Sequence, residues 1–274
     1  MIKLKLALCQ MNVVDDKEEN LRKASSLIDT ASNKADFIVL PEMFNCPYSN
    51  EKFIEYCEEE KDSYTLNIIS KLAKSNQIYI LAGSIPEKED EKLYNTSYLF
   101  NKNGNIIAKH RKMHLFDIDV KDKITFKESD VLTAGNEFTL AETNFGKIGI
   151  GICYDIRFPE LARVLVENGA LILFYPGAFN MTTGPAHWEL LFRSRALDNQ
   201  VYCVGVAPAL NENASYHSFG HSIVANPWGE IIAEAGQKEE VIFCEIDLDE
   251  IKKVREELPL LKNKREDLYE VIKK

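Results

Sequence analysis

The chain has 274 residues, of which 45% are hydrophobic and 28% charged, and its formal net charge is −10. This is the composition of a globular protein that buries a core, and the acidic balance disfavours nucleic acid and anionic membrane surfaces as partners. Six irregularly spaced cysteines, no secretory signal and no apolar run of about 20 residues predict a cytoplasmic protein with free thiols and no membrane span.

The first half of the chain alternates strand-like and helix-like segments. Residues 2–11 alternate apolar and basic side chains, which predicts a half-buried strand. Asp16 with Glu19 three residues later is a capping signal, and apolar residues from Leu21 to Ala31 recur at helical spacing. Further predicted elements are a strand at 36–40, a helix at 62–75, a strand at 77–83, and a hairpin of 96–101 with 105–110.

The second half mixes hairpins with strand–helix alternation. A hairpin of 138–142 with 147–153, helices at 159–166 and 185–197, and strands at 170–174, 201–207, 219–225, 230–234 and 241–246 are predicted. This pattern favours one α/β domain with mixed sheets over residues 1–274. The charged stretch from about residue 258 carries Leu260, Leu261, Leu268 and Tyr269, and it is interpreted as an arm that docks on a partner subunit.

Cys153 stands in the segment GICYDIRFPE, which runs from Gly151 to Glu160. A glycine-spaced apolar strand precedes it and Pro159 marks a helix start, so the thiol is expected in a sharp strand-to-helix turn. Backbone N–H groups in such a turn can face a developing oxyanion, and a helix start can lower a thiol pKa below about 8.5. Taken alone, a small buried core thiol is the more ordinary interpretation.

Three further residues are candidates for the chemistry that a thiol nucleophile needs. Glu42 follows the apolar run 37–40, where partial burial would raise its pKa and make it a competent base near neutrality. Lys112 follows a predicted strand in HRKMHLFDIDV, and Glu128 lies in the irregular segment ITFKES. Taken singly, these are more ordinarily solvated loop acids and an exposed lysine.

The five histidines offer a rival chemistry. His110 and His114 are four residues apart, as are His217 and His221, and on a helix this spacing can bind zinc. Neither segment has helical periodicity and the chain has no CxxC motif, so no metal and no other cofactor is expected. A Cys–His pair remains open, because residues far apart in sequence can meet in the fold.

Taken together, the order and surroundings of these residues resemble the nitrilase superfamily. The resemblance rests on LPE ending at Glu42, on HRKMHL from His110 and on the segment around Cys153. The motifs YPGAFN from Tyr175, HWELL and NPWGE from Asn226 extend it over essentially the whole chain. It implies a four-layer αββα sandwich with two stacked mixed β-sheets, and a homodimer with helices near the cysteine in the interface.

The resemblance also implies roles for individual residues. Cys153 would be the nucleophile, Glu42 the general base and Lys112 the oxyanion stabiliser. Glu128 would be the second carboxylate beside Lys112. The backbone N–H of Tyr154 is the expected second donor to the oxyanion.

A closer resemblance concerns the substrate. The stretches HLFDIDV, KITFKES and YPGAFNMTTGPAHWELL are similar to members that hydrolyse the terminal amide of 2-oxo acids such as 2-oxoglutaramate and 2-oxosuccinamate. Arg157 can bind a carboxylate through two hydrogen bonds, or it can form a salt bridge to Asp155 or Glu160. Other loop residues expected to line the same opening are Tyr48, Phe179, Met181 and Thr183.

Three alternatives remain at this point. The first keeps the fold and the chemistry but changes the substrate to a nitrile, a carbamoylated amine or deaminated glutathione. The second is a non-catalytic interaction protein on the same fold. The third is a hydrolase that uses a Cys–His pair, in which a histidine rather than Glu42 is the base.

Overall fold

The computed structural model describes residues 3–121 and 124–271, which form two sheets, one isolated hairpin and six α-helices. The strands of the first sheet are β1 (Lys3–Gln10), β2 (Phe37–Val39), β3 (Glu58–Glu59), β4 (Tyr79–Leu81), β5 (Ile85–Glu89), β6 (Lys92–Phe100), β7 (Ile106–Arg111) and β16 (Glu240–Asp247). Those of the second are β10 (Thr139–Thr143), β11 (Gly146–Ile150), β12 (Ile172–Pro176), β13 (Tyr202–Val206), β14 (Ile223–Ala225) and β15 (Ile231–Glu234). The isolated hairpin pairs β8 (Asp117–Val120) with β9 (Ile124–Lys127). The helices are α1 (Lys17–Ser32), α2 (Asn50–Tyr56), α3 (Tyr64–Asn76), α4 (Pro159–Glu167), α5 (Gly184–Asn199) and α6 (Asp249–Glu257).

Both large sheets are mixed. The first has the order β16-β1-β2-β4-β6-β5-β3, with β7 also paired to β6, and the second runs from β10 to β15 in sequence order. The parallel pairs are β1–β2, β2–β4, β3–β5, β11–β12 and β12–β13. The first and last strands of the chain pair with each other, because β1 lies antiparallel to β16 from Lys3–Asp247 to Gln10–Glu240.

The alternation of side chains along the central strands produces the layers. In β1, Leu4, Leu6 and Leu8 enter the core between the two sheets, whereas Ala7 and Cys9 face the layer that contains α1 and α3. The second sheet likewise buries its outer face against α4 and α5. The four-layer αββα sandwich expected from the sequence is therefore confirmed.

Most predicted elements are present, and those that were missed have weak apolar patterns. Helix α2 begins after the cap Ser49 and buries only Phe53 and Tyr56. Helix α6 is highly charged and buries only Ile251 and Val254. Strand β5 and the hairpin of β8 with β9 also have no counterpart among the predictions. Each of these elements is too short, or has too few apolar residues, to show a clear period.

The C-terminal stretch lies partly on the chain's own surface. Leu261 packs against the cluster of α4 and α5, and Lys264 pairs with Glu167 of α4. Leu268 is 69% exposed and Tyr269 58% exposed, so both are free to contact another surface. Docking on a partner subunit stays a prediction; Ile2 of the predicted first strand and residues 272–274 of the arm lie outside the described residues.

The sequence also predicts that no segment spans a membrane and that the cysteines form no disulfides. In the described parts of the chain, no helix has both the length and the apolar character needed to cross a lipid bilayer. All six cysteines lie in described segments, and each is a free thiol, as predicted.

Candidate functional site

Cys153 lies just beyond β11, where the chain turns sharply out of the second sheet. Its φ is +46°, in the left-handed region that costs a non-glycine residue roughly 1–3 kcal/mol. A 3₁₀ turn, Cys153–Arg157, follows and leads into α4. The residue is only 4% exposed and lines a narrow cleft. The predicted strand-to-helix turn is confirmed.

Gly177 lets the end of β12 approach this turn. A Cβ atom at Gly177 would lie 3.2 Å from Cα of Cys153 and 3.3 Å from the Trp188 ring. Either contact is tighter than side chains normally make, so a larger residue would displace the cysteine or the tryptophan. The glycine therefore helps to fix where the sulfur lies.

Glu42 follows β2 and is fully buried behind the thiol. Its Oε1 accepts hydrogen bonds from Nδ2 of Asn95 at 2.8 Å and from Nζ of Lys112 at 3.0 Å. Its Oε2 accepts from the backbone N–H of Ala178 at 2.7 Å. These donors hold the carboxylate in one orientation, and from there its negative charge acts on the Cys153 thiol.

Lys112 is the cation between two buried carboxylates. Its Nζ lies 3.0 Å from Oε1 of Glu42 and 2.8 Å from Oε1 of Glu128, and all three side chains are fully buried. Burial by itself lowers the pKa of Lys112, but Glu128 and Glu42 outweigh it and raise the pKa above its ordinary value. Burial first, and then the negative charge of Glu42, raise the pKa of Glu128, and Lys112 offsets only part of this. Lys112 therefore remains charged at neutral pH.

The Cys153 thiol corrects one expectation from the sequence. A lowered thiol pKa is predicted from the helix start, and this is wrong. Burial first, and then the negative charge of Glu42, raise the pKa of Cys153 well above its ordinary value, and Lys112 offsets only part of this. The resting thiol is therefore protonated and needs a base to react.

Asp155 ties the cysteine turn to the segment that carries Lys112. Its Oδ2 accepts from Nε2 of His110 at 3.0 Å, and its Oδ1 accepts from the backbone N–H and Nδ1 of His114 at 3.0 and 2.7 Å. Burial alone would raise the pKa of Asp155, but these contacts hold it well below its usual range. Both histidines are thus engaged away from the Cys153 sulfur, and the described residues contain no cluster that could hold a metal.

The cleft in front of the sulfur combines aromatic rings with one cation. Besides Cys153, its lining residues are Phe116, Tyr154, Arg157, Ala178, Phe179 and Thr183. Burial lowers the pKa of Arg157, and its guanidinium lies 4.7 Å from the centre of the Phe179 ring. Among the described residues Arg157 has no carboxylate partner, because Asp155 is bound to histidines and Glu160 is exposed. The alternative of a salt bridge within the chain is therefore wrong.

The other residues predicted to contact the substrate are placed differently. Phe179 and Thr183 line the cleft, whereas Met181 is 42% exposed and forms no part of its wall. Tyr48 lies beside the charged groups, where its hydroxyl donates to Oε1 of Glu128 at 2.5 Å. Its ring stacks on that of Tyr216, and both rings border a second cavity of about 490 Å³ that reaches Glu42.

Several groups of the site were not predicted from the sequence. Asn95 left a usable signal, since it is an amide in the part of strand β6 that is buried from Tyr94 to Phe100. The backbone donors of Ala178 to Glu42 and of Phe116 to Glu128, at 2.7 and 2.6 Å, left none, because every residue type except proline carries such a donor. Tyr216, whose hydroxyl donates to the carbonyl of Ala178, comes from a loop without periodicity.

Comparison of the chain with known proteins identifies its relatives. Residues 5–256 match the model of the carbon-nitrogen hydrolase family. The chain is 50% identical to omega-amidase NIT2 of Bos taurus, over 99% of this chain and 98% of that protein. It is also 50% identical to omega-amidase NIT2 of Xenopus tropicalis, over 100% and 99%. The crystal structure of Saccharomyces cerevisiae Nit3, described as a member of branch 10 of the nitrilase superfamily, matches with a TM-score of 0.88 and 44% identity, covering 96% of this chain and 97% of that one.

Proposed function

The chain belongs to the carbon-nitrogen hydrolase family, and we propose that it is an ω-amidase that hydrolyses the terminal amide of 2-oxo dicarboxylic acid monoamides such as 2-oxoglutaramate and 2-oxosuccinamate. The products are the 2-oxo acid and ammonia. The observation that carries the proposal is the meeting of a thiol, two carboxylates and an ammonium beside an arginine that has no anionic partner among the described residues. Full-length relatives at about half identity that bear the name omega-amidase support the same substrate class.

In the first half of the reaction, Glu42 takes the thiol proton as Cys153 attacks the amide carbonyl. The Glu42 carboxylate is close enough to raise the thiol pKa, so it is placed to accept this proton. Negative charge develops on the carbonyl oxygen, where the Lys112 ammonium and the backbone N–H of Tyr154 stabilise it. The C–N bond then breaks, Glu42 returns the proton to the amine, and ammonia leaves a thioester on Cys153.

In the second half, water replaces ammonia. Glu42 deprotonates a water molecule that attacks the thioester carbonyl, and the same donors stabilise the second oxyanion. The C–S bond breaks and the sulfur regains a proton from Glu42, so the enzyme returns to its initial state. One carboxylate serves both halves because the donors from Asn95 and Ala178 keep it in place throughout.

Glu128 supports Lys112 rather than reacting with the substrate. Its Oε1 accepts from Lys112, and its Oε2 is held by the backbone N–H of Phe116 at 2.6 Å. Tyr48 donates to the same Oε1, which fixes the carboxylate between two donors. Glu128 thus keeps the ammonium charged and directed at the reaction centre.

Arg157 supplies the contact with the other end of the substrate. The 2-oxo acid carboxylate is an anion, and a guanidinium that lines a cleft without a counter-ion is suited to bind it. Phe179 and Thr183 complete the wall around the carbon chain. The substrate therefore spans the distance between the Arg157 guanidinium and the Cys153 sulfur. The site thus favours substrates of matching chain length that carry a terminal negative charge.

We also propose that the chain is a single domain that forms a cytoplasmic homodimer, with the arm from about residue 258 contacting the partner subunit. Exposed Leu268 and Tyr269 support a second surface for this arm, and the six free thiols suit a reducing compartment. Sedimentation of the full chain and of a Leu268→Ser/Tyr269→Ser variant tests the assembly. Dimers of equal stability in both would contradict the role of the arm.

Ammonia release from a panel of substrates tests the proposed function. We expect 2-oxoglutaramate to give the highest kcat/KM, above deaminated glutathione, a carbamoylated amine and a nitrile. Mass spectrometry of the acid-quenched enzyme should find an acyl group on Cys153. Cys153→Ala should abolish both signals, whereas the control Cys57→Ala, at a half-buried cysteine outside the site, should retain them.

The outcomes decide between the proposed function and a different substrate, mechanism or class of protein. A higher kcat/KM for another member of the panel would retain the chemistry and overturn the substrate. Turnover in Cys153→Ala would overturn the mechanism. Absence of both turnover and a trapped acyl group with every substrate would favour the non-catalytic interaction protein.

A further inference from the structure

Arg157 has one side-chain hydrogen-bond partner in the described part of the chain, and that partner is a histidine outside the proposed chemistry. Nη1 of Arg157 lies 3.1 Å from Nδ1 of His187, in the first turn of α5. A guanidinium donates hydrogen bonds and accepts none, so Nδ1 must be the acceptor. The imidazole is therefore neutral and carries its proton on Nε2.

The surroundings of His187 agree with a neutral ring. Burial, and then the positive charge of Arg157, lower the pKa of His187 from its ordinary value. The pKa of Arg157 is lowered by burial. The ionisable groups that also affect it are Cys153, Tyr154 and Tyr216, and each of these is uncharged when protonated. The contact between Arg157 and His187 thus persists at neutral pH.

The orientation of the guanidinium leaves its Nε–Nη2 edge for a ligand. Its Cζ lies 4.7 Å from the centre of the Phe179 ring and 5.6 Å from that of Tyr154. Nη1 is taken by His187, whereas Nε is buried and has no acceptor among the described residues. Nη2 likewise has no acceptor within the described chain. Because leaving the buried Nε donor unpaired is unfavourable, the edge that Nε forms with Nη2 points to an acceptor that the substrate supplies.

We propose that His187 is a positioning residue for substrate recognition: it occupies Nη1 of Arg157 and thereby presents the Nε–Nη2 edge to the substrate carboxylate. This inference rests on the proposed ω-amidase function. The two oxygens of a carboxylate match the two parallel N–H groups of that edge, which gives a bidentate contact. His187 then determines the affinity for anionic amides and leaves the chemistry at Cys153 unchanged.

A matched pair of substrates isolates this effect. 4-Oxopentanamide has the amide and the ketone of 2-oxoglutaramate but a methyl group in place of the carboxylate. His187→Leu removes the acceptor, whereas His187→Asn keeps an oxygen near the position of Nδ1. Arg157→Met removes the proposed carboxylate site and serves as the reference. Steady-state kinetics on each full-length variant gives kcat and KM for both substrates.

The expected pattern is specific. His187→Leu raises KM for 2-oxoglutaramate by roughly five- to tenfold, as expected for one lost net hydrogen bond, and changes kcat less than about twofold. KM for 4-oxopentanamide stays within about twofold of wild type, and His187→Asn recovers most of the affinity for the anion. A loss of equal size on both substrates, or no rescue by asparagine, would overturn the positioning role.

The reference variant separates this inference from the function on which it rests. If Arg157→Met loses affinity for the anion and His187→Leu does not, the inference is wrong and the proposed function stands. If Arg157→Met discriminates between the two substrates as well as wild type does, the carboxylate site is misassigned and the inference fails with it. Nitrogen-15 NMR of the wild-type imidazole gives a test without turnover: Nδ1 should be unprotonated at neutral pH, and a protonated Nδ1 would overturn the inference.

Discussion

Lys112→Met tests the buried charge network, because it removes the ammonium and keeps an unbranched side chain of similar length. In the wild type, one Nζ lies within 3.0 Å of Glu42 and 2.8 Å of Glu128, and all three side chains have no exposure to solvent. In the variant, two carboxylates remain buried without a cation. Each carboxylate must then either take up a proton or remain as a buried negative charge without a cation beside it.

The size of the effect follows from this geometry. Removing one partner of a buried ion pair costs about 3–5 kcal/mol, because the remaining charge loses its compensation. Since two carboxylates depend on the same Lys112, we expect the upper part of that range. For a chain of this length, each kcal/mol lowers Tm by roughly 2–4 °C, so Tm should fall by roughly 8–20 °C.

The loss also depends on pH. A group whose folded pKa lies above its unfolded value contributes stability that is present below the unfolded pKa and is lost as pH rises through the folded pKa. Burial raises the pKa of Glu128 in the wild type, and removing Lys112 deletes an effect that lowers it. The difference in stability between wild type and variant should therefore shrink as pH falls from about 8 to about 5.

Equilibrium urea unfolding followed by tryptophan fluorescence measures these differences. Lys61→Met is the matched control, because Lys61 is 75% exposed and should change the free energy of unfolding by less than about 0.5 kcal/mol. Adding Glu128→Gln to Lys112→Met should recover part of the lost stability. A Lys112→Met variant within about 1 kcal/mol of wild type at neutral pH, or a loss that does not vary with pH, would refute the reasoning.

Two further predictions concern the position and the ionisation of the sulfur. Glu42→Gln should lower the midpoint of the Cys153 thiolate absorbance titration while abolishing amide turnover, because the charge of Glu42 raises the thiol pKa; an unchanged or higher midpoint would contradict this. Gly177→Ala should lower kcat by roughly tenfold, because its new Cβ lies 3.2 Å from Cα of Cys153. In the control Gly236→Ala, the nearest atom is 3.6 Å away, and steady-state kinetics should find kcat unchanged.

The sequence predicted the positions of the reactive residues better than their chemical states. The turn at Cys153 could be predicted because the flanking residues, a glycine-spaced strand and a proline at a helix start, act locally. The raised pKa of its thiol could not, because it arises from burial between loops and from Glu42, more than a hundred residues earlier in the chain. In the same way, the hydrogen-bond partner of Arg157 depends on how α5 packs. It is His187 of that helix, and neither Asp155 nor Glu160 contacts the guanidinium.

The strands of this protein differ in how clearly a sequence pattern reveals them. In β1, side chains alternate between two buried layers, so the period of two is visible in the sequence. Strands β8 and β9 have no completely buried side chain, and their alternation is confined to four residues each. Glu128, which follows β9 directly, was therefore placed in an irregular loop, although its identity as a candidate did not depend on that.

The pairing of β1 with β16 constrains how the protein is made on the ribosome. One edge of β1 can pair with β2 soon after both emerge, but the other edge lacks its partner until about 230 more residues have been translated, roughly 12–50 s at ordinary elongation rates. During that interval an apolar strand presents unpaired backbone donors and acceptors to other nascent chains. We therefore expect a nascent chain arrested before residue 240 to require chaperones and to aggregate without them, whereas the released chain does not.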